Sequence, residues 1–185
     1  GQGFVIRAVV DANVLASGAI GDATRAPGAI LRRWIDGRFV LVTSAAIRDE
    51  VRRTLENPYF RARISAFDRL AFMTAIDSEA ESIVPTVRIE GVATHPEDDR
   101  VLEAAVSAGV DYLVTGDRGL QRLGEHAGIP ILDQRAFRDM LDGLPPDCRR
   151  AAPHAFGATA HACAPTPTAA ATVVRRMSHC LTWSK

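Results

Sequence analysis

Asp11, Glu50, Asp98 and Asp117 are the residues of this chain whose types and placement could do chemistry. Asp11 ends the apolar run Phe4-Val5-Ile6-Arg7-Ala8-Val9-Val10, and Asp117 closes Tyr112-Leu113-Val114-Thr115-Gly116. In an open parallel sheet, ligands bind beyond the carboxyl ends of the strands, so both carboxylates should face one crevice. Like charges gathered there repel unless a cation joins them, which makes the four a candidate divalent-metal site. Hard oxygen donors suit Mg²⁺ or Mn²⁺, and residues 4–142 hold no Cys/His cluster that would favour zinc.

Each acid also has a simpler explanation. A helix or turn cap accounts for Asp11 as well as a ligand role does. Glu50 lies one turn past Ile47 and could pair with Arg53 instead. Pro96-Glu97-Asp98-Asp99 puts three acids in a first helical turn, where the macrodipole already favours them. Asp98 lies three and seven residues before Val101 and Ala105, on the side expected to pack toward the sheet, and a carboxylate there needs a partner. Asp99 is rotated away by one residue, so Asp98 is the preferred ligand and Asp99 the reserve. Asp117, after Gly116, could be an ordinary turn aspartate. Their shared position at one end of the inferred sheet favours the metal site over four separate coincidences.

The elements that must position these acids can be read from periodicity. Residues 4–10 form a continuous apolar, β-branched run, the pattern of a strand buried on both faces. A helix opens at Pro27 and stops near Gly37, and a second strand spans 39–43. Ser44 caps a helix carrying Ile47, Val51 and Leu55 that ends before Pro58. The spacing of Ile64, Leu70, Phe72 and Ile76 predicts one long helix over 60–81. A further helix starts at Pro96 and is ended by Gly109, strands follow at 112–115 and 129–132, and Asp133 caps 135–141. Strands alternating with helices predict a three-layer α/β/α domain over residues 4–142 with a mostly parallel central sheet.

Residues 143–185 change texture to Ala, Pro and Thr, a low-complexity composition expected to remain disordered. The overall net charge of zero conceals an asymmetry. Residues 1–142 carry 17 Arg against 21 Asp and Glu, whereas 143–185 carry five basic residues against one acid. An acidic body does not bind nucleic acid by bulk electrostatics, so a polyanion must be met locally by arginine and metal. All three cysteines lie in the tail, which excludes a disulfide framework and is compatible with a reducing cytosol. Cys148, His154, His161, Cys163, His179 and Cys180 there lack zinc-site spacing. No apolar stretch approaches a membrane span, and Arg7 and Asp11 interrupt the N-terminal run in a way unlike a signal peptide. A cytoplasmic protein is expected.

Val9-Val10-Asp11-Ala12-Asn13-Val14-Leu15, Thr43-Ser44 with Glu50, His95-Pro96-Glu97-Asp98-Asp99-Arg100-Val101-Leu102 and Leu113-Val114-Thr115-Gly116-Asp117 together resemble the PIN domain. Within that family the chain is similar to prokaryotic toxin components of toxin–antitoxin systems, akin to VapC-type ribonucleases. The resemblance runs from about Val5 to Leu141 and does not include the tail. It implies that Asp11, Glu50, Asp98 and Asp117 are the catalytic acids and bind one or two Mg²⁺ or Mn²⁺ ions, with Asn13, Ser44 and Thr115 as polar supports. It further implies metal-dependent endoribonuclease activity on RNA, a cognate antitoxin protein as partner and a homodimer. Many relatives carry another acidic residue shortly after the last aspartate. Here Arg118-Gly119-Leu120 follows, which bears on a second ion.

Arg48, Arg52, Arg53, Arg100 and Arg118 flank the acids in sequence, and Arg48, Arg100 and Arg118 are the candidates for holding the RNA backbone. His95 is a helix-start residue that could contact RNA. Two other readings compete. A phosphatase of the haloacid-dehalogenase type also begins strand–Asp but needs a second Asp two positions later, where this chain has Asn13. A non-catalytic PIN-like module binding RNA or protein is the alternative from a different class.

Overall fold

The computed structural model describes residues 5–144. The expectation of a disordered tail falls on residues outside the described ones. In chain order the elements are β1 (Arg7–Val10), α1 (Ala12–Gly18), α2 (Ala26–Ile35), β2 (Val40–Ser44), α3 (Ala45–Leu55), α4 (Pro58–Arg61), α5 (Ala66–Glu79) and β3 (Glu81–Ile83). They continue with α6 (Pro96–Ala108), β4 (Tyr112–Val114), α7 (Arg118–Leu123), β5 (Glu125–His126), β6 (Ile129–Leu132) and α8 (Gln134–Gly143).

The strands form one six-stranded sheet in the order β3-β2-β1-β4-β6-β5. All pairings are parallel except β5 with β6. The chain builds outward from β1 through β2 to β3, then returns to lay β4 on the other side of β1. That reversal makes the gap between β1 and β4 a topological switch point, where an open sheet leaves a crevice at its carboxyl edge. Helix α1 packs on α2 and α3, α8 packs on α2, and α6 lies against β1, β2 and β4. The expected three-layer α/β/α arrangement is the one observed.

The central strands are apolar because both faces are covered. Ala8, Val9 and Val10 of β1 and Leu113 and Val114 of β4 are completely buried. Phe39 and Phe137 meet edge-to-face with centroids 5.2 Å apart, and Tyr112 tilts onto Phe137 at 6.0 Å, so α8 is locked onto the sheet. Arg38 donates to the carbonyls of Leu141 and Leu144, and Arg33 pairs with Asp142, which ties the end of α8 to α2 and its following turn. Helix α8 keeps Gly143, and Leu144 packs on the core, two residues past the expected end of the domain.

The helix over 60–81 is two helices. Asn57 caps α4, the chain turns at Ala62–Ile64, and Ser65 restarts a helix by accepting from the amide of Asp68 at 3.1 Å. Ile64 is buried as periodicity suggested, but as a turn residue plugging the core. Helices α1 and α7 and strands β3 and β5 were not read from sequence; each is too short to show a period, and β3 and β5 are edge strands.

Removing the Phe137 ring should lower stability by about 3–5 kcal/mol, because it is fully buried between α8 and the sheet. Urea unfolding of Phe137→Ala against the parent measures it.

Candidate active site at the sheet switch point

Four helix N-termini converge on the carboxyl edge of the sheet, and each brings a candidate residue. Asp11 directly follows β1 and caps α1, accepting from the amide of Asn13 at 3.4 Å. Ser44 ends β2 and caps α3, accepting from the amide of Ile47 at 3.4 Å, and so fixes the helix that carries Glu50. Asp117 follows β4 and caps α7, with Oδ1 accepting from the amide of Leu120 at 2.9 Å. Asp98 stands in the first turn of α6, which starts at Pro96. Helix N-termini carry partial positive charge, so each offsets part of the repulsion among the acids.

Asp11, Glu50 and Asp98 line one small cavity of about 50 Å³, together with Asn13, Arg53 and Arg100. That is several times the roughly 10–15 Å³ one water needs. Asp117 is not on the cavity wall, but its charge raises the pKa of both Asp11 and Asp98. The structure therefore brings Asp11, Glu50 and Asp98 to one cavity, with Asp117 near Asp11 and Asp98 but off its wall.

Thr115 is the hinge of this arrangement. Its completely buried hydroxyl donates to Asp11 Oδ2 at 2.9 Å and accepts from the Asp117 amide at 3.0 Å. One side chain thereby fixes the carboxylate of β1 and the backbone of the β4 exit relative to each other. Burial is the main cause raising the Asp11 pKa, opposed by the Thr115 and Asn13 hydrogen bonds and assisted by Asp117. Asp98 is pushed up to about 6, first by desolvation and then by the charges of Asp117 and Asp11, with His95 acting the other way.

Among the described residues no three acidic, His or Cys side chains stand close enough together to hold a metal ion as they are placed. The mutual pKa effects show that the acids still feel one another, and an open half-shell of hard oxygens is what Mg²⁺ uses, keeping positions for waters and substrate phosphate. The donor set fits such an ion. Glu50 is paired with Arg53 through a charge-assisted hydrogen bond, so the simpler explanation for Glu50 holds alongside its place at the cavity.

Asp99 needs a correction. It is not turned aside to solvent but buried, its oxygens accepting from the amides of Gly91 at 2.7 Å, Val92 at 3.2 Å and Ala93 at 2.7 Å. Farther along the same stripe of α6, Glu103 accepts from Ile89 and Ser107 from Thr86 and Val87. Asp99, Glu103 and Ser107 recur every four residues and strap the loop before α6 onto it. Asp99 therefore serves as loop anchor, and its oxygens are not available as reserve ligands. The four-residue polar spacing was the sequence signal for this stripe.

Among the arginines, Arg100 lines the cavity as expected. Arg48 does not; it bonds Ser82 Oγ at 2.6 Å and pairs with Asp77, bracing α3 against β3 and α5. Arg118 is exposed at the start of α7, off the cavity wall. Asn13 sits exposed on the cavity rim. A Cβ at Gly119 would stand 2.8 Å from Asp117 Oδ1 and 3.1 Å from Thr94 Oγ1, so a side chain there would displace the last acid.

The PIN domain family model matches residues 7–119, which hold all four acids and Thr115. The chain belongs to the PIN domain family. PIN domains are generally nucleases, and their sites typically bind divalent metals. No curated protein matches the chain. No helix among the described residues is long and apolar enough to cross a membrane.

Two outcomes follow for this PIN site. The folded Asp98 holds its proton more tightly than an ordinary Asp of pKa 3.8, so its ionisation costs the fold stability as pH rises from about 4 to about 6. In chelator, Asp98→Asn should melt higher than the parent at pH 7.5, with the difference vanishing below about pH 4. Asp99→Ala should speed hydrogen exchange at the Gly91 and Ala93 amides, whereas Asp98→Ala should leave them protected.

Proposed function

We propose that this protein hydrolyses RNA phosphodiester bonds as a divalent-metal-dependent endoribonuclease. The observation that supports this reading is that Asp11, Glu50 and Asp98 line one cavity, with Asp117 near enough to raise the pKa of Asp11 and Asp98. Asp11, Asp98 and Asp117, with Glu50 opposite, would hold the Mg²⁺ or Mn²⁺. A bound ion would polarise a phosphoryl oxygen and lower the pKa of a coordinated water.

The chain's own residues prepare the rest. Thr115 keeps Asp11 aimed at the cavity, and the α7 cap keeps Asp117 from swinging away. Arg53 and Arg100 on the wall meet the phosphate, whose charge the carboxylates alone would repel. Water attacks phosphorus in line with the leaving ester oxygen, one P–O bond breaks, and the ends are a phosphomonoester and a hydroxyl. No side chain has to act as covalent nucleophile.

In the cell the proposed role is the toxin of a toxin–antitoxin pair, acting in the cytoplasm, held inactive by a cognate antitoxin and working as a homodimer. A non-catalytic PIN module is the second reading, favoured by the Glu50–Arg53 pair and by Gly119 excluding a further carboxylate. Calorimetric titration with Mn²⁺ separates them, since a degenerate site binds no ion specifically.

The purified full chain should cleave single-stranded RNA with Mg²⁺ or Mn²⁺ and stop on addition of chelator. Asp11→Asn should lower the rate by at least about a hundredfold, the scale of losing electrostatic stabilisation at a reacting centre. Cleavage by Asp11→Asn at the parental rate would overturn the assignment.

A further inference from the structure

A cavity of about 930 Å³ lies outside the carboxylate site and is lined by Arg25, Arg63, Arg135, Arg138, Tyr59 and Gln134. Asp22 is the one acid on its wall, so the groove is net positive in a domain that is net negative. Its arginines come from the turn before α2, from the turn after α4 and from the first turns of α8, and none was singled out by its place in the sequence. The family match ends at residue 119, before two of them.

The groove lies near the proposed catalytic site. A Cβ at Gly116 would stand 2.8 Å from Gln134 Nε2, so the Gln134 amide is a wall shared between the groove and the residue just before Asp117. Helix α1 joins the same two places: Asp11 caps its start and Ser17, near its end, lines the groove. At 1.5 Å per residue that separation is about 9 Å.

We propose that this groove holds the sugar–phosphate backbone of single-stranded RNA and feeds it to the carboxylates, a proposal that rests on the nuclease reading above. A cluster of acids repels a polyanion, so affinity must be supplied beside the site. Arg63 lies over the Tyr59 ring, its guanidinium carbon 3.7 Å from the centroid, and Tyr59 is half exposed, a planar pair of the kind on which bases stack. Arg25 and Arg138 are partly neutralised by Asp22 and Asp139, whereas Arg63 bonds only a backbone carbonyl of its own turn. The chain's residues 143–185 have the wrong sign to fill the groove, with five basic residues against one acid. An acidic peptide would match the charge but would gain nothing from the groove's nearness to the carboxylates.

The test is fluorescence anisotropy of the full chain with a short labelled single-stranded RNA in chelator, over a range of salt. Arg135→Ala/Arg138→Ala should weaken binding about tenfold or more and reduce the salt slope by about 1–2. In metal it should raise KM with little change in kcat. Arg32→Ala/Arg88→Ala, an equal charge change outside the groove, should bind like the parent. Should the double variant fold poorly by circular dichroism, Arg63→Ala decides by the same measurement. RNA binding equal to the parent's in the groove variants overturns the proposal, as does displacement of the RNA by polyglutamate at equal concentration. Binding needs no cleavage: if the groove variants lose RNA but no metal supports hydrolysis, the groove stands and the nuclease reading falls. If Asp11→Asn abolishes cleavage while the groove variants bind normally, the reverse holds.

Discussion

The Thr115 hydroxyl is the interaction on which the rest of the site depends. Asp11 and Asp117 leave adjacent parallel strands, and nothing in the strand pairing itself sets how their side chains face each other. A hydroxyl can donate once and accept, and Thr115 uses both functions, toward Asp11 and from the Asp117 amide. Because Thr115 is fully buried, neither bond competes with water. The sheet thus holds two carboxylates together that would otherwise separate.

This economy has a cost that the fold tolerates. Asp11 is nearly buried and Asp98 retains its proton far more strongly than a free aspartate. Local rules of stability favour neutral groups here, and the fold instead concentrates acids at the one crevice its topology opens. Such conflict between stability and charge is typical of functional sites. The surrounding structure compensates with ordinary means: helix caps, an edge-to-face aromatic pair and apolar strands covered on both faces.

Much of this was legible in the chain. The apolar runs ending in Asp11 and near Asp117 marked two strands whose carboxyl ends share a crevice, and Ser44, Pro96, Gly109 and Asp133 marked helix ends where the structure has them. Gly109 takes the left-handed conformation, φ 55°, that its role as terminator required. What the sequence did not show are features made by tertiary contact. Strand β3, Glu81-Ser82-Ile83, has exposed residues and exists because β2 pairs with it. Asp99 and Asp98 share a turn, and only the position of the preceding loop separates their duties. The arginine groove draws on three distant segments, so no local pattern could announce it.

The strap of α6 divides the stretch between β3 and α6 into two parts with different freedom to vary in length. From Gly91 to Asp99 the chain closes a small ring through hydrogen bonds donated by three backbone amides to one carboxylate, and Gly91 has φ 73° to make the turn. A residue inserted within the helix between Asp98 and Asp99 would turn one about 100° further from the other around the helix axis, so the anchor and Asp98 keep their relation only as neighbours. Between Ile83 and Thr86 no such ring exists among the contacts, so drift in length can be absorbed there. The loop that looks least constrained in composition is, in its second half, clasped by one carboxylate of the helix that carries Asp98.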